Sequence, residues 1–239
     1  MTLSIALRGD TARFPGNTLP ALRSASRAGA DLVKIDLHLT SDGYPVLADE
    51  RLVTAPGSPP RPVGEFTLAE LAAIRDDVER RVPTLMEVLA DFTDSGPPPL
   101  LVDASEPEAA LAADTLLRGR GFGDQVLFTG STETLDALRA RSSDARLMLA
   151  WDKPGLPPED VVRTLRPAVL GTHYTLLTRE LVIEMHRSGY FVTAWTVNDF
   201  PEMARVIGMG VDALATERIE DLVSLTSGRE QEASTAGSV

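Results

Sequence analysis

Short apolar runs alternate with amphipathic stretches from one end of the chain to the other. The runs predict strands at Ser4–Leu7, Leu32–Asp36, Leu100–Asp103, Val126–Thr129, Leu147–Ala150, Ala168–Gly171, Phe191–Thr196 and Ala213–Ala215. The stretches that follow them predict helices over Leu19–Ala28, Leu85–Asp91, Pro107–Arg120, Thr132–Arg141, Pro158–Leu165, Thr178–Ser188, Pro201–Met209 and Ile219–Leu225. At Thr178 a capping hydroxyl precedes Leu181, Val182 and Met185 at helical spacing, the pattern of a helix with one buried face. Repeated strand–helix units build a parallel sheet, and eight of them predict one α/β domain, a closed (β/α)8 TIM barrel.

Two regions break the rhythm. Asp42-Gly43 lies between the apolar runs Leu37–Leu39 and Tyr44–Leu47 and signals a hairpin, and the proline-rich stretch Pro56–Pro62 reads as a loop. Roughly Thr40–Val82 is therefore expected to be an insertion over the barrel mouth. Residues 1–226 form the expected barrel domain, and the small, polar segment Ser227–Val239 is expected to be a disordered tail.

Composition narrows the function classes. A length of 239 residues suits a single barrel with a full core. The absence of cysteine excludes disulfides and thiolate metal sites. No apolar run reaches the roughly 20 residues needed to cross a bilayer, and no basic leader opens the chain, so an integral membrane segment is not expected and the location is read as cytoplasmic. A net charge of −12 argues against nucleic acid as a partner. Only Lys34 and Lys153 are lysine, all other basic residues being arginine, so each lysine carries more information than usual.

The motifs that bear on chemistry lie at strand ends. Ala6-Leu7-Arg8-Gly9 is followed by Pro15-Gly16-Asn17-Thr18, then Lys34-Ile35-Asp36, then Thr40-Ser41-Asp42-Gly43 and Ala48-Asp49; a later segment reads Val192-Thr193-Ala194-Trp195-Thr196-Val197-Asn198. In order and spacing these resemble the glycerophosphodiester phosphodiesterase family, whose signature reads His-Arg-Gly, Pro-Glu-Asn-Thr, Glu-x-Asp, Thr-x-Asp-Gly and His-Asp. The resemblance covers Ser4 to about Leu225 and implies the barrel fold and the insertion. It also implies two histidines as general acid and base, and a divalent cation held by the carboxylates of Glu-x-Asp and a further glutamate on the next barrel strand. Here the histidine positions hold Leu7 and Ala48, and the first carboxylate is Lys34. The resemblance leaves Asp36 in place and sets Asp103 at the third ligand position. Neither leucine nor alanine moves a proton, and an ammonium takes up the space and opposes the charge of a hard cation. No bound metal and no cofactor are expected.

In such barrels the chemistry sits at the C-terminal strand ends. Side chains alternate along a strand, so Lys34, Asp36 and His38 share a face, with Asp103 on the neighbouring strand. Lys34 reads equally as a general acid or electrophilic donor and as a buried counter-ion. Arg8 carries a planar fork suited to phosphate or carboxylate, or to an internal pair with Asp36 or Asp49. The candidate catalytic residues are therefore Lys34, Asp36, Arg8 and Asp103, and the candidate ligand contacts are Leu7, Asp49, Trp195, His38 and His173. Trp195 offers a flat apolar wall or core packing, Asp49 a ligand contact or a turn cap, and Asn17-Thr18 a fixed loop. His186, inside a helix, reads as surface.

Leu7, Ala48 and Gly16 in place of larger polar groups predict a roomier, more apolar mouth. On that basis the expected function is a repurposed, metal-independent and non-hydrolytic enzyme acting on a neutral or apolar small molecule by isomerisation, cyclisation or dehydration. The alternatives are a non-catalytic binding protein, and a residual phosphodiesterase using Arg8, Lys34 and a displaced histidine such as His38. Closure of Lys34, Asp36 and Arg8 on one another favours binding alone; convergence on an open cavity favours an enzyme.

Overall fold

A computed structural model describes residues 1–48, 52–53, 59–74, 81–92 and 98–236. The barrel strands are β1 (Leu3–Leu7), β2 (Leu32–Leu39), β6 (Leu100–Ala104), β7 (Val126–Gly130), β8 (Met148–Ala150), β9 (Val169–His173), β10 (Phe191–Trp195) and β11 (Ala213–Thr216). Between β2 and β6 lie the short strands β3 (Pro45–Leu47), β4 (Leu52–Val53) and β5 (Arg61–Pro62). All eight barrel strands run parallel in the order β7-β6-β2-β1-β11-β10-β9-β8, and a parallel bridge between Phe128 and Leu147 joins the two ends. The architecture is the (β/α)8 TIM barrel that the alternation of runs predicts.

The helices are α1 (Leu19–Arg27), α2 (Leu68–Ile74), α3 (Leu85–Asp91), α4 (Pro107–Gly119), α5 (Thr132–Arg141), α6 (Glu159–Leu165), α7 (Arg179–Arg187), α8 (Phe200–Gly208) and α9 (Ile219–Ala236). Their starts are written in capping side chains. Thr18, Thr84, Ser131, Thr178 and Asp199 each accept a bond from a first-turn backbone N–H that the helix itself cannot satisfy. At Thr84 the bond is reciprocated, because the Glu87 carboxylate accepts from the Thr84 N–H at 2.8 Å.

Two cores follow from strand alternation. Outward-facing Ala6, Val33, Ile35, Val102, Leu170 and Leu214 pack with helix residues such as Leu22, Ala113, Leu138, Met185 and Val206. Inward-facing Ile5, Leu101, Leu127, Met148, Val169, Ala213 and Ala215 fill the barrel, with Leu7 and Trp195 above them. The interior is thus closed below and available only at the C-terminal ends of the strands.

The insertion opens with a hairpin and carries a small core of its own. The hairpin forms, with β3 antiparallel to β2 in the register Leu37↔Leu47 and Leu39↔Pro45 and Gly43 in the turn at φ +86°. Beyond it, Val46, Ala48, Val63, Phe66 and Leu71 bury one another in a small separate core, and α2 is an element the alternation did not reveal. None of its described residues lines the cavity in the barrel mouth. At the C-terminus, α9 continues to Ala236 where a disordered tail was expected from Ser227. The segment Glu230-Gln231-Glu232-Ala233 consists of good helix formers, and nothing between Ile219 and Ala236 breaks the helix except Gly228.

Candidate active site

Inward parity brings Leu7, Lys34, Asp103, Thr129, Ala150, Thr193 and Trp195 to the C-terminal ends of β1, β2, β6, β7, β8 and β10. Most of them surround a cavity of about 290 Å³, lined by Leu7, Arg8, Lys34, Thr129, Thr193, Trp195 and Glu217 together with small or apolar neighbours. That volume is at the small end for ligand sites. A larger groove of about 630 Å³ lies outside the barrel between the β2–β3 hairpin and α4, away from these residues.

Lys34 organises one wall. Its ammonium pairs with Asp36 on the same strand and with Asp103 Oδ2 across the β2–β6 register at 2.9 Å. Only 19% of the Lys34 side chain is exposed. Burial, the largest single influence, pulls the ammonium pKa down; the carboxylates of Asp103 and Asp36 together outweigh it and hold the pKa above the ordinary lysine value. Lys34 therefore stays charged. Asp36 is fixed further by Asn17, whose amide donates to Asp36 Oδ2 at 3.1 Å and whose carbonyl accepts from the Asp36 N–H at 3.0 Å.

Arg8 organises the opposite edge. Its Nη2 donates to Glu217 Oε1 at 2.8 Å, and Asn198 Nδ2 donates to Glu217 Oε2 at 2.9 Å. Asn198 Oδ1 in turn accepts from the Glu217 N–H and the Thr216 hydroxyl, both at 3.0 Å. Arg8 has φ +60° and Asn17 φ +54°, left-handed conformations that non-glycine residues adopt at a cost of order 1–3 kcal/mol each. The Arg8 N–H donates to the Lys34 carbonyl and the Arg8 carbonyl accepts from the Asn17 N–H, so the turn is held from both sides. Gly9 allows it: a Cβ there would lie 2.5 Å from the Ala21 carbonyl carbon.

Trp195 is seated by a missing side chain. A Cβ on Gly171 would fall 2.0 Å from Trp195 Cζ3, so the indole lies directly against the β9 backbone, and it lines the cavity.

Several sequence-derived candidates stand elsewhere. His38 is nearly buried, its Nδ1 3.6 Å from Glu106 Oε2, and does not line the cavity. His173 caps the short turn after β9, accepting from the Thr175 N–H and stacking obliquely on Tyr174. His186 bonds to Asp212 Oδ2 at 2.7 Å on α7. Asp49 lies outside the described residues. Sequence reasoning passed over Glu217, Asn198 and the cavity threonines. Glu217 continues the inward parity of Ala213 and Ala215 one residue beyond β11, so extending the last strand by two residues would have found it.

The divalent cation implied by the family signature does not fit these residues. The space between Asp36 and Asp103 holds the Lys34 ammonium, and among the described residues no three His, Cys, Asp or Glu side chains converge on a common point.

The chain matches the model of the glycerophosphoryl diester phosphodiesterase family over residues 8–221. It is 26% identical to a glycerophosphodiester phosphodiesterase of Caldanaerobacter subterraneus subsp. tengcongensis, over 94% of this chain and 97% of that protein. Identity to a glycerophosphodiester phosphodiesterase of Arabidopsis thaliana is 29%, over 87% of this chain and 68% of that one. Among solved structures, a glycerophosphodiester phosphodiesterase of Thermotoga maritima superposes with a TM-score of 0.78 at 25% identity, over 94% and 98% of the two chains. An Oleispira antarctica phosphodiesterase, solved with its product sn-glycerol-3-phosphate, has the same fold (TM-score 0.81, 22% identity, 95% and 97% covered).

These relatives overturn the expected non-hydrolytic conversion of a neutral or apolar molecule: the proteins aligned over nearly all of the chain are phosphodiesterases. One part of the physical premise of that expectation also fails. Of the three small or apolar replacements, only Leu7 lines the cavity, while Ala48 is buried beneath the insertion among Val63, Phe66 and Leu71. The mouth presents Arg8, Lys34, Glu217 and several hydroxyls among apolar Leu7, Leu101, Met148, Trp195 and Ala215. Among the described residues no helix is long and apolar enough to cross a membrane.

Proposed function

The chain belongs to the glycerophosphoryl diester phosphodiesterase family, and from that premise we propose that it hydrolyses glycerophosphodiesters at the C-terminal mouth of the barrel without a divalent cation. The observation that carries the reading is the convergence of Arg8 and Lys34 on one small cavity walled by Leu7 and Trp195. Two cations on facing sides of the cavity suit the non-bridging oxygens of a phosphodiester, and fixed charges in a partly dry site stabilise the charge that develops at phosphorus. Asp36 and Asp103 hold the Lys34 ammonium at the cavity, a positioning role. Leu7 and Trp195 supply apolar surface for the carbon skeleton. His38 and His173 have no part in this reading.

The test is release of sn-glycerol 3-phosphate from glycerophosphocholine by wild type and Arg8→Ala. Wild type should turn over, and the variant should lose at least about tenfold in kcat/KM, the scale of one charge-assisted hydrogen bond. Equal rates for the two proteins would remove Arg8 from the site.

A second reading, phosphoester binding without turnover, is favoured by one specific observation. Both carboxylates facing Lys34 are engaged with it, and the places of the two proton-carrying histidines hold Leu7 and Ala48. Calorimetric binding of sn-glycerol 3-phosphate that Arg8→Ala abolishes, with no release of product from the diester, would select it.

A further inference from the structure

Hydrolysis of a phosphodiester needs a group that takes a proton from the attacking water, and the two family positions for such a group hold Leu7 and Ala48. We infer that Glu217 is that proton acceptor, an assignment that rests on the hydrolytic reading above.

Asp36 and Asp103 are turned to Lys34 and are not part of the cavity lining, whereas Glu217 is its one carboxylate among the described residues. Of the other polar side chains in the lining, Arg8 and Lys34 are cations with no lone pair to offer, and Thr129, Thr193 and Thr196 are hydroxyls too weakly basic to keep a proton. Histidine is missing from the lining.

Glu217 is also held as a reacting group must be. Arg8 Nη2 fixes one carboxylate oxygen and Asn198 Nδ2 the other, at 2.8 and 2.9 Å, while Asn198 Oδ1 accepts from the Glu217 N–H. Each carboxylate oxygen has two acceptor sites, so one site on each remains for a water. The side chain is still 40% exposed, which leaves it open to the cavity. The charged neighbours that face it are Arg8 from the turn after β1 and, across the cavity, Lys34 from β2; the adjacent Arg218 is directed away to Asp221 at 2.7 Å.

The step balances with water alone. The water oxygen forms a bond to phosphorus as its proton passes to a Glu217 oxygen. The bond from phosphorus to the departing alcohol oxygen breaks, its electron pair goes to that oxygen, and solvent protonates it. Glu217 returns its proton to solvent, so one water is consumed and a phosphomonoester and an alcohol are produced. Arg8 serves both partners, touching the phosphate and orienting the base.

The deciding experiment is the pH–rate profile of glycerophosphocholine hydrolysis by wild type, Glu217→Gln and Glu217→Asp. Glutamine retains an oxygen that accepts from Arg8, so a purely positioning role would survive it. We expect Glu217→Gln to lose on the order of 100-fold or more in kcat with little change in KM, and to lose the acidic limb of the profile. Glu217→Asp should keep that limb at reduced rate. Retention of kcat and of the acidic limb in Glu217→Gln, or a rise in KM alone, overturns the assignment and leaves the hydrolytic reading standing. No turnover by wild type overturns both, and wild type alone reveals it.

Discussion

Lys34 is the residue on which the electrostatics of the mouth turns. With its ammonium between Asp36 and Asp103, removing the charge leaves two carboxylates facing each other in a part-buried site. Breaking one partner out of a buried ion pair costs 3–5 kcal/mol, and the partial exposure here lowers that to about 2–3 kcal/mol for Lys34→Met. Repulsion between the two facing carboxylates should make the variant weakest at neutral and alkaline pH and less so in acid; a urea titration across pH measures this. In wild type the sign is opposite. A lysine whose folded pKa is raised contributes stability fully below the ordinary lysine value and loses it as pH rises through the raised value, so the network should weaken only in strongly alkaline solution. Lys34→Glu carries a separate expectation. It places three carboxylates at one point, so calcium should raise the melting temperature of the variant by roughly 5–10 °C at 100-fold excess over Kd and leave wild type unmoved. A calcium shift in wild type would contradict the bad fit of a cation to these residues. The parity argument that put Lys34, Asp36 and Asp103 together needed only strand alternation, which is local and visible in sequence. The misplacement of Ala48 had the opposite cause: what covers it is Val63, Phe66 and Leu71, partners that only the folded insertion brings near.

At the scale of elements, two contacts set how firmly the site is held. The reciprocal cap of Thr84 and Glu87 starts α3 directly behind β3, where Thr84 also bridges to Val46. Thr84→Ala removes the acceptor for the Glu87 N–H, keeps the residue 84 N–H bonded to the Glu87 carboxylate, and should cost about 0.5–2 kcal/mol in thermal unfolding. Gly171 matters more to the cavity. Gly171→Ala drives a methyl group into the Trp195 indole, which must leave the β9 backbone. Overpacking of this kind costs typically 1–3 kcal/mol, and tryptophan fluorescence should report the displaced ring; an unchanged spectrum and stability would show that Trp195 is not seated there. The helix caps and strand runs were legible because each depends on a few neighbouring residues. The Trp195–Gly171 contact was not, since it joins two strands across the barrel and only their register makes them meet.

For the whole molecule, the barrel fixes where chemistry can occur more strongly than any one residue does. Its interior is packed by Ile5, Leu101, Leu127, Val169 and Ala213, so the C-terminal mouth is the end that remains open. The overall charge of −12 repels anionic substrates at a distance, which confines their attraction to the cavity walls that carry Arg8 and Lys34. Salt should therefore have opposing effects, screening the repulsion of the molecule and the attraction of the wall alike. Fold and family position were readable from the alternation of runs and the spacing of motifs. The reaction was not, because the inference from three small residues assumed that all of them reach the mouth, and only Leu7 does.

The most direct test of the account is release of sn-glycerol 3-phosphate from glycerophosphocholine by chelator-treated wild-type protein, measured before and after adding calcium or magnesium. Turnover is expected in the presence of chelator, at the same rate once either cation is restored. Turnover that appears only with added cation would contradict the metal-free site around Lys34, and no turnover under either condition would contradict the hydrolytic function itself.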